Sequence, residues 1–277
     1  MPDDLNRSGG LEDGSQNDRF DKIASRVYFI HEMNNVEAVQ QSVLQLATSG
    51  GVRYRIRRAG AIPAMGAEGY EQAWSAAETG WVQHFHPRSS DHHPATRFRC
   101  LYNDASLFVR FSVQDRFVRA VNTEYQSLVS KDSCVEFFVT PEGAKGYFNF
   151  EVNCGGTMLL YYIGDPERGS NGRLFKDYEE VPVELGGLVR IEPTMPRKVF
   201  PEIEQEVAWE VALTIPLDLF RQYVPGVAFQ AGKSWRANFF KCADSSSHPH
   251  WASWSDIGTP MRFHQPGKFG WIDFTDS

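Results

Sequence analysis

Long apolar runs are missing from this chain of 277 residues. No stretch approaches the roughly 20 consecutive apolar residues that a membrane-spanning helix needs. Positive charge is also scarce: 28 Lys and Arg against 35 Asp and Glu leave a net charge of −7, with no basic run. A nucleic-acid partner requires a basic footprint for the phosphates, so none is expected. Cysteine is sparse, and Cys100, Cys134, Cys154 and Cys242 are never spaced as CxxC, the local pair on which most zinc sites are built. Each lies in an apolar or strand-like run. Buried free thiols are therefore expected, a disulfide between two strands is left open, and no metal ligand is assigned. The motifs GxSxG, GxGxxG after a strand, the P-loop and HExxH are absent as well. Residues 1–22 carry neither the basic nor the apolar segment of a secretory leader, so a cytoplasmic location is expected of the sequence as it stands.

What is present in quantity is aromatic. Rings make up 13% of the chain, a share that favours strands and ring-lined surfaces. Residues 1–50 read as a separate extension. The first 22 are polar and disordered in composition. Residues 34–47 then space Val36, Val39, Val43, Leu44 and Leu46 as a short amphipathic helix that Gly50–Gly51 would end. From Val52 the period changes to two. VRYRIRRA alternates as a strand. Thr96–Tyr102 and Ser106–Val113 flank an Asn-Asp-Ala turn, a hairpin signal. KDSCVEFFVTPEGAKGYFNFEVNCGG forms a second hairpin, which GGTMLLYYIG extends. VPVELGGLVRIEP reads as another strand pair, and EVAWEVALTIP as a strand burying Val207, Trp209, Val211 and Leu213. PLDLF is a helical turn, SWRANFFKCAD a strand, and FGWIDF a closing strand. Many short strands between turn residues define an all-β chain, an antiparallel β-sandwich over residues 51–277 with a short N-terminal helical extension.

Within that pattern the second hairpin carries an unusual stripe. Asn149, Glu151 and Asn153 alternate with Phe148, Phe150 and Val152, which a solvated face or a ligand platform would both explain. Sugars present an apolar ring face and a rim of hydroxyls, so their sites combine aromatic plates with planar hydrogen-bonding groups. Two segments supply the mixture. One is the stripe with Glu136. The other is NFFKCADSSSHPHWASWSD, with Asn238, Lys241, His250, Trp251 and Trp254. Core placement of Trp254 and an exposed position for Trp251 both stay open. His84, His86, His92 and His93 cluster in a Pro/Ser/Asp-rich stretch that reads as a solvated loop.

The ordered series DSCVEFFV from Asp132, YFNFEVNCGGT from Tyr147, RANFFKCAD from Arg236, SWSD from Ser253 and Phe269-Gly270 resembles the family 9 carbohydrate-binding modules, in particular stand-alone bacterial family 9-like proteins. The resemblance covers roughly residues 52–277. It implies a β-sandwich related to the DOMON-like sugar- and haem-binding domains. In members attached to xylanases two Trp rings grip the reducing end of a glycan, polar side chains on neighbouring strands hold its hydroxyls, and bound calcium is structural. Carried onto this chain, the motif Glu falls on Glu136, the strand-ending Asn on Asn153, and the Trp-Ser-Asp segment on Trp254, Ser255 and Asp256. The first gripping Trp is replaced in the segment Val129–Lys131, and the second is kept only as Phe263. An Arg becomes Glu151, and the acidic positions that help to hold calcium are largely missing over Ile62–Gly69.

The expected function is non-catalytic binding of a mono- or oligosaccharide in glycan catabolism, through Glu136, Glu151, Asn153, Asn238, Lys241, Trp251, Trp254 and Phe263. No catalytic residue is assigned, no cofactor is expected, structural calcium is left open without being expected, and protein partners are not read from the sequence. Two rivals stand beside this reading. One is a hydrolase of O-glycosyl compounds using Asp132, Glu136, Glu151 or His264. The other is a haem-binding module with Met158, Met261, His264 or Lys241 as axial ligands.

Overall fold

A computed structural model describes residues 51–170 and 172–276. The extension 1–50, with the helix expected inside it, lies outside the described residues. In chain order the strands are β1 (Arg53–Arg58), β2 (Gly80–Val82), β3 (His84–Phe85), β4 (Ala95–Tyr102), β5 (Ser106–Asp115), β6 (Val118–Ala120), β7 (Cys134–Thr140) and β8 (Tyr147–Asn153). They continue as β9 (Met158–Asp165), β10 (Asp177–Glu180), β11 (Arg190–Pro193), β12 (Val199–Ile203), β13 (Val207–Pro216), β14 (Ser234–Cys242), β15 (Trp251–Ser253) and β16 (Gly270–Thr275). The described α-helices are single turns, Tyr70–Trp74, Val183–Gly186 and Leu217–Arg221. None among the described residues is long and apolar enough to cross a membrane.

Local chemistry sets the hairpins. In β4–β5, Tyr102 pairs with Leu107. The Asn103 side chain closes that turn by accepting the N–H groups of Ala105 at 2.9 Å and Ser106 at 2.8 Å. In β7–β8 the register runs from Cys134 opposite Asn153 to Val139 opposite Phe148. Gly156 turns the chain into β9 at φ +82°, a conformation that a Cβ disfavours. The strand pair expected over VPVELGGLVRIEP is one strand only. Pro182 opens a helical turn whose Leu185 and Gly186 N–H groups bond to its carbonyl, and β11 follows.

The strands join in the order β10-β9-β8-β7-β14-β16-β1-β4-β5-β13-β11. The ladder is antiparallel except at β1, which runs parallel to both β16 and β4. A parallel neighbour needs a long crossover, and the segment between Arg58 and Ala95 provides one to β4. The two halves of this path face each other. Phe98 of β4 stacks on Phe239 of β14 at 3.6 Å and 11°, and Phe148 of β8 meets Phe220 edge-on at 5.2 Å. The interior between the halves is a single apolar core holding Trp209, Trp235, Phe111, Phe137 and Phe150.

One buried charge pair crosses that core. Lys241 of β14 and Asp115 of β5 are both fully buried, with Nζ 3.5 Å from Oδ2. Nζ also donates to His250 Nε2 at 2.7 Å and to the Cys242 carbonyl at 3.1 Å. Asp115 accepts Trp209 Nε1–H at 3.0 Å and bonds His92 Nε2 at 2.8 Å. Burial opposes the Asp115 carboxylate, but Lys241 and these donors outweigh it and hold its pKa down at about 2. Burial and the neighbouring ammonium push His250 down to about 3, so it stays neutral and accepts from Lys241.

Removing one partner of such a pair strands the other charge. Lys241→Ala should cost about 3–5 kcal/mol in urea unfolding, and Lys241→Met with Asp115→Leu should recover most of it. Both depressed pKa values give the same sign with pH. His250 contributes fully above its ordinary value of 6.5 and loses that contribution as pH falls toward 3; Asp115 does so between 3.8 and 2. Relative to His250→Gln, the parent should therefore lose stability in thermal melts as pH falls below about 6.5, a difference that cancels buried carboxyls with raised pKa values, which act with the opposite sign.

Candidate functional site

Strands β7, β8, β9 and β14 have a second face, turned away from the core. Alternation sends Phe148, Phe150 and Val152 inward, so Asn149, Glu151 and Asn153 point to that second face. Register adds Phe138, Glu136 and Cys134 from β7. It adds Tyr161 and Leu159 from β9, and Asn238, Phe240 and Cys242 from β14. All of β8 is buried, so the polar stripe is not a solvated face. Its cover is a second aromatic cluster to which Phe175, Ile257 and Phe269 contribute, with half-buried Tyr178, Trp251 and Phe263 at its margin.

The segment around Phe263 forms part of that cover. The Phe263 ring stacks on Phe240 at 4.3 Å and 16°. Beside it, the His264 ring lies 4.8 Å from that of Phe138, and its Nδ1 shares a 2.8 Å hydrogen bond with the Tyr147 hydroxyl. Burial pushes His264 down to about 3, which keeps it neutral for that role. The Arg262 guanidinium donates to the Pro166 carbonyl and ties this segment to the end of β9.

Beneath the rings two carboxyls meet. Glu136 and Glu151 sit directly opposite each other on β7 and β8, where Cβ atoms are about 4.5–5.5 Å apart. Burial pushes Glu151 up to about 7, although Asn149 Nδ2–H, bonded to its Oε1 at 2.8 Å, pulls the other way. Burial pushes Glu136 well up too, reinforced by Cys242 and by Glu151. The pair therefore retains a proton at neutral pH and presents an O–H donor beside several acceptors. That combination suits a ligand whose own groups both donate and accept. On the rim, Trp251 Nε1 donates to Asp244 Oδ1 at 2.7 Å, which fixes the indole.

Of the eight sugar-site residues expected from sequence, the structure brings Glu136, Glu151, Trp251 and Phe263 to this face. Asn153 and Asn238 also point there, but their amides are committed. Asn153 Nδ2 donates to Asp132 Oδ2 at 3.0 Å and to the Asn122 carbonyl at 2.9 Å, while its Oδ1 accepts Thr157 N–H at 2.9 Å. Asn238 clamps Ser255, donating to its carbonyl and accepting its N–H, each at 2.9 Å. Lys241 is not brought to the face: between Phe240 and Cys242, alternation turns it into the core. Trp254 is likewise a core ring, edge-on to Phe98 and Phe239 at 5.7 and 5.6 Å. It presses on Gly270, where a Cβ would come within 2.6 Å of the ring. Sequence reasoning missed Tyr161, Tyr178 and Asp244. Alternation along MLLYYIG signals Tyr161; Asp244 emerges only when β14 and β15 pair and carry Trp251 beside it.

The rival ligand sets do not converge. Met158 and Lys241 lie in the core, Met261 is exposed, and His264 Nδ1 is taken by Tyr147. The histidine-rich stretch is anchored rather than a free loop. His86 Nε2 bonds the Thr259 carbonyl at 2.8 Å, His92 binds Asp115, and His93 stacks on Phe85 at 4.1 Å. Calcium takes six to eight oxygens, and the segment 62–69 contributes one carboxylate, the exposed Glu68. That segment does not fit a calcium shell.

A curled all-β sandwich with a ring-covered polar face is the architecture of a β-sandwich ligand-binding module. The sequence profile described as Carbohydrate-binding family 9 matches residues 75–274, and the chain belongs to that family. Among solved structures it is similar to a candidate carbohydrate-binding protein of Bacteroides uniformis, at 28% identity and TM-score 0.69 over 81% of this chain and 100% of that one. It also shares the fold of a family 9 carbohydrate-binding module of Caldicellulosiruptor kristjanssonii. In complex with cellotriose the figures are 15% identity, TM-score 0.55 and coverage of 82% and 95%. In complex with glucose they are 15%, 0.53, 82% and 97%. A comparison with curated proteins finds no match.

Because Asn153 supports buried Asp132 and the Thr157 amide, Asn153→Ala should lower stability by about 1–3 kcal/mol in denaturant titrations. Any change in ligand affinity should then track the loss of folded protein.

Proposed function

We propose that the chain is a non-catalytic carbohydrate-binding protein of glycan catabolism, whose ligand rests on the ringed face of β7, β8, β9 and β14. The observation that carries this is the paired Glu136 and Glu151 beneath the half-buried rings of Trp251 and Phe263. Rings stack on the apolar face of a pyranose, and a protonated carboxyl beside a carboxylate matches hydroxyls that both donate and accept. The Caldicellulosiruptor kristjanssonii complexes with glucose and cellotriose make a glucose-type sugar the first ligand to try.

A binding role is favoured over hydrolysis by the arrangement of the two carboxyls. Glycosidase acids flank a sugar from opposite sides of the scissile bond. Here they are neighbours on one sheet face, so a sugar lies over both and not between them. Nδ1 of His264, the remaining acid–base candidate on this face, is engaged by Tyr147.

Calorimetry with glucose, cellotriose and a panel of other mono- and oligosaccharides tests the reading. Binding is expected for at least one sugar. Trp251→Ala and Glu151→Gln should each weaken it by about tenfold, or 1.4 kcal/mol, with the melting temperature close to that of the parent. Absence of heat with every sugar, or full affinity in both variants, would overturn it.

A further inference from the structure

Below the aromatic cover three buried side chains converge that sugar binding alone does not use in full. Cys134 and Glu136 lie two residues apart on β7, so they share a face. Cys242 lies directly opposite Cys134 on β14. The two sulfurs and a Glu136 carboxyl oxygen all fall within 4.8 Å of one another. All three side chains are at most 2% exposed. The hydrogen-bond partner of Glu136 is Cys242 Sγ, 3.1 Å from Oε1. A buried carboxyl is normally paired with a cation or with backbone N–H groups; this one is aimed at thiols.

The geometry points to a zinc-class metal site formed by Cys134 Sγ, Cys242 Sγ and a Glu136 carboxyl oxygen. Zinc–sulfur distances of about 2.3 Å and zinc–oxygen distances of about 2.0–2.2 Å require tetrahedral ligand atoms to stand near 3.5–3.8 Å from each other, which these side chains reach by small rotations. Two thiolates and one carboxylate select a borderline-soft divalent ion over calcium or magnesium, which take oxygen alone. Three protein donors leave the fourth position to water. The ion takes the place of the thiol and carboxyl protons, which pass to solvent, and nothing is oxidised or reduced. Because the site is closed, loading accompanies folding. This inference shares Glu136 with the proposed sugar face but does not rest on a sugar binding there.

The full chain, refolded from denaturant under reducing conditions with Co2+ or Zn2+, provides the test. One equivalent of metal is expected by elemental analysis. The cobalt form should show intense near-ultraviolet thiolate charge transfer and visible bands of a tetrahedral ion. Cys134→Ser and Cys242→Ser should each weaken those features strongly, while Cys154→Ser, a core thiol outside the trio, should leave them intact. Glu136→Gln, which keeps the side-chain shape, should retain charge transfer but lower cobalt affinity at least tenfold. A folded chain that takes up no metal would overturn the proposal. So would cobalt bands that survive Cys242→Ser, or a Cys134–Cys242 disulfide formed under the same reducing conditions. Sugar calorimetry on metal-loaded and metal-free protein separates this result from the binding reading, because the metal signals need no sugar.

Discussion

The Lys241–Asp115 pair decides how β14 sits in the molecule. A buried ion pair contributes little net stability relative to apolar residues of the same size. Its value here is in register. With Lys241 held at Asp115 and His250, Phe240 and Cys242 must emerge on the opposite face, beside Glu136 and Cys134. A slip of one residue would send the lysine into the aromatic cover and pull Phe240 into the core. It would leave Asp115 and His250 without the Lys241 ammonium. The same strand thus carries the fold's most constrained charge on one side and candidate site residues on the other.

This arrangement explains why strands with alternating polarity are buried on both faces. In most antiparallel sheets the polar side meets water. In this protein loops from the chain's C-terminal third, with Phe175 and Tyr178, lie over the polar side. The polar groups under that cover are nearly all paired locally: Asn149 with Glu151 and the Tyr161 N–H, Asn153 with Asp132, Asn238 with Ser255. Glu136 and Glu151 are the expensive members. Burial raises both pKa values, and Glu151 adds to the rise at Glu136, so the pair keeps a proton at neutral pH.

Much of the architecture was legible because alternation is a local signal. β4, β5, β7, β8, β13, β14 and β16 each follow from period-two patterning between turn residues. The parallel insertion of β1 was not legible, since nothing in VRYRIRRA states which neighbours it will have. The site was read in part for the same reason. Glu136 and Glu151 share a hairpin, so sequence alone places them together. Lys241 was assigned to the wrong side because its segment was read as a set of sugar-compatible residue types. Counting along β14 from Phe240 would have shown that the two cannot share a face. Trp251 and Trp254 are three residues apart and part company, one at the rim and the other in the core, because the Trp254 N–H continues the ladder to the Phe239 carbonyl and an odd spacing along extended chain puts them on opposite faces.

The same limitation governs the thiols. Absence of CxxC argues against a metal site only when both ligands must come from one turn. A sheet supplies a different route: residues opposite each other on paired strands bring side chains as close as a tight turn does, whatever their separation along the chain. Cys134 and Cys242 meet in this way, and Glu136 joins them because it is two residues further along the same face. The carboxyl that the family resemblance assigns to sugar recognition therefore also borders the thiols. A cation held there would keep Glu136 as a carboxylate and leave Glu151 as the member of the pair that answers to the ligand above.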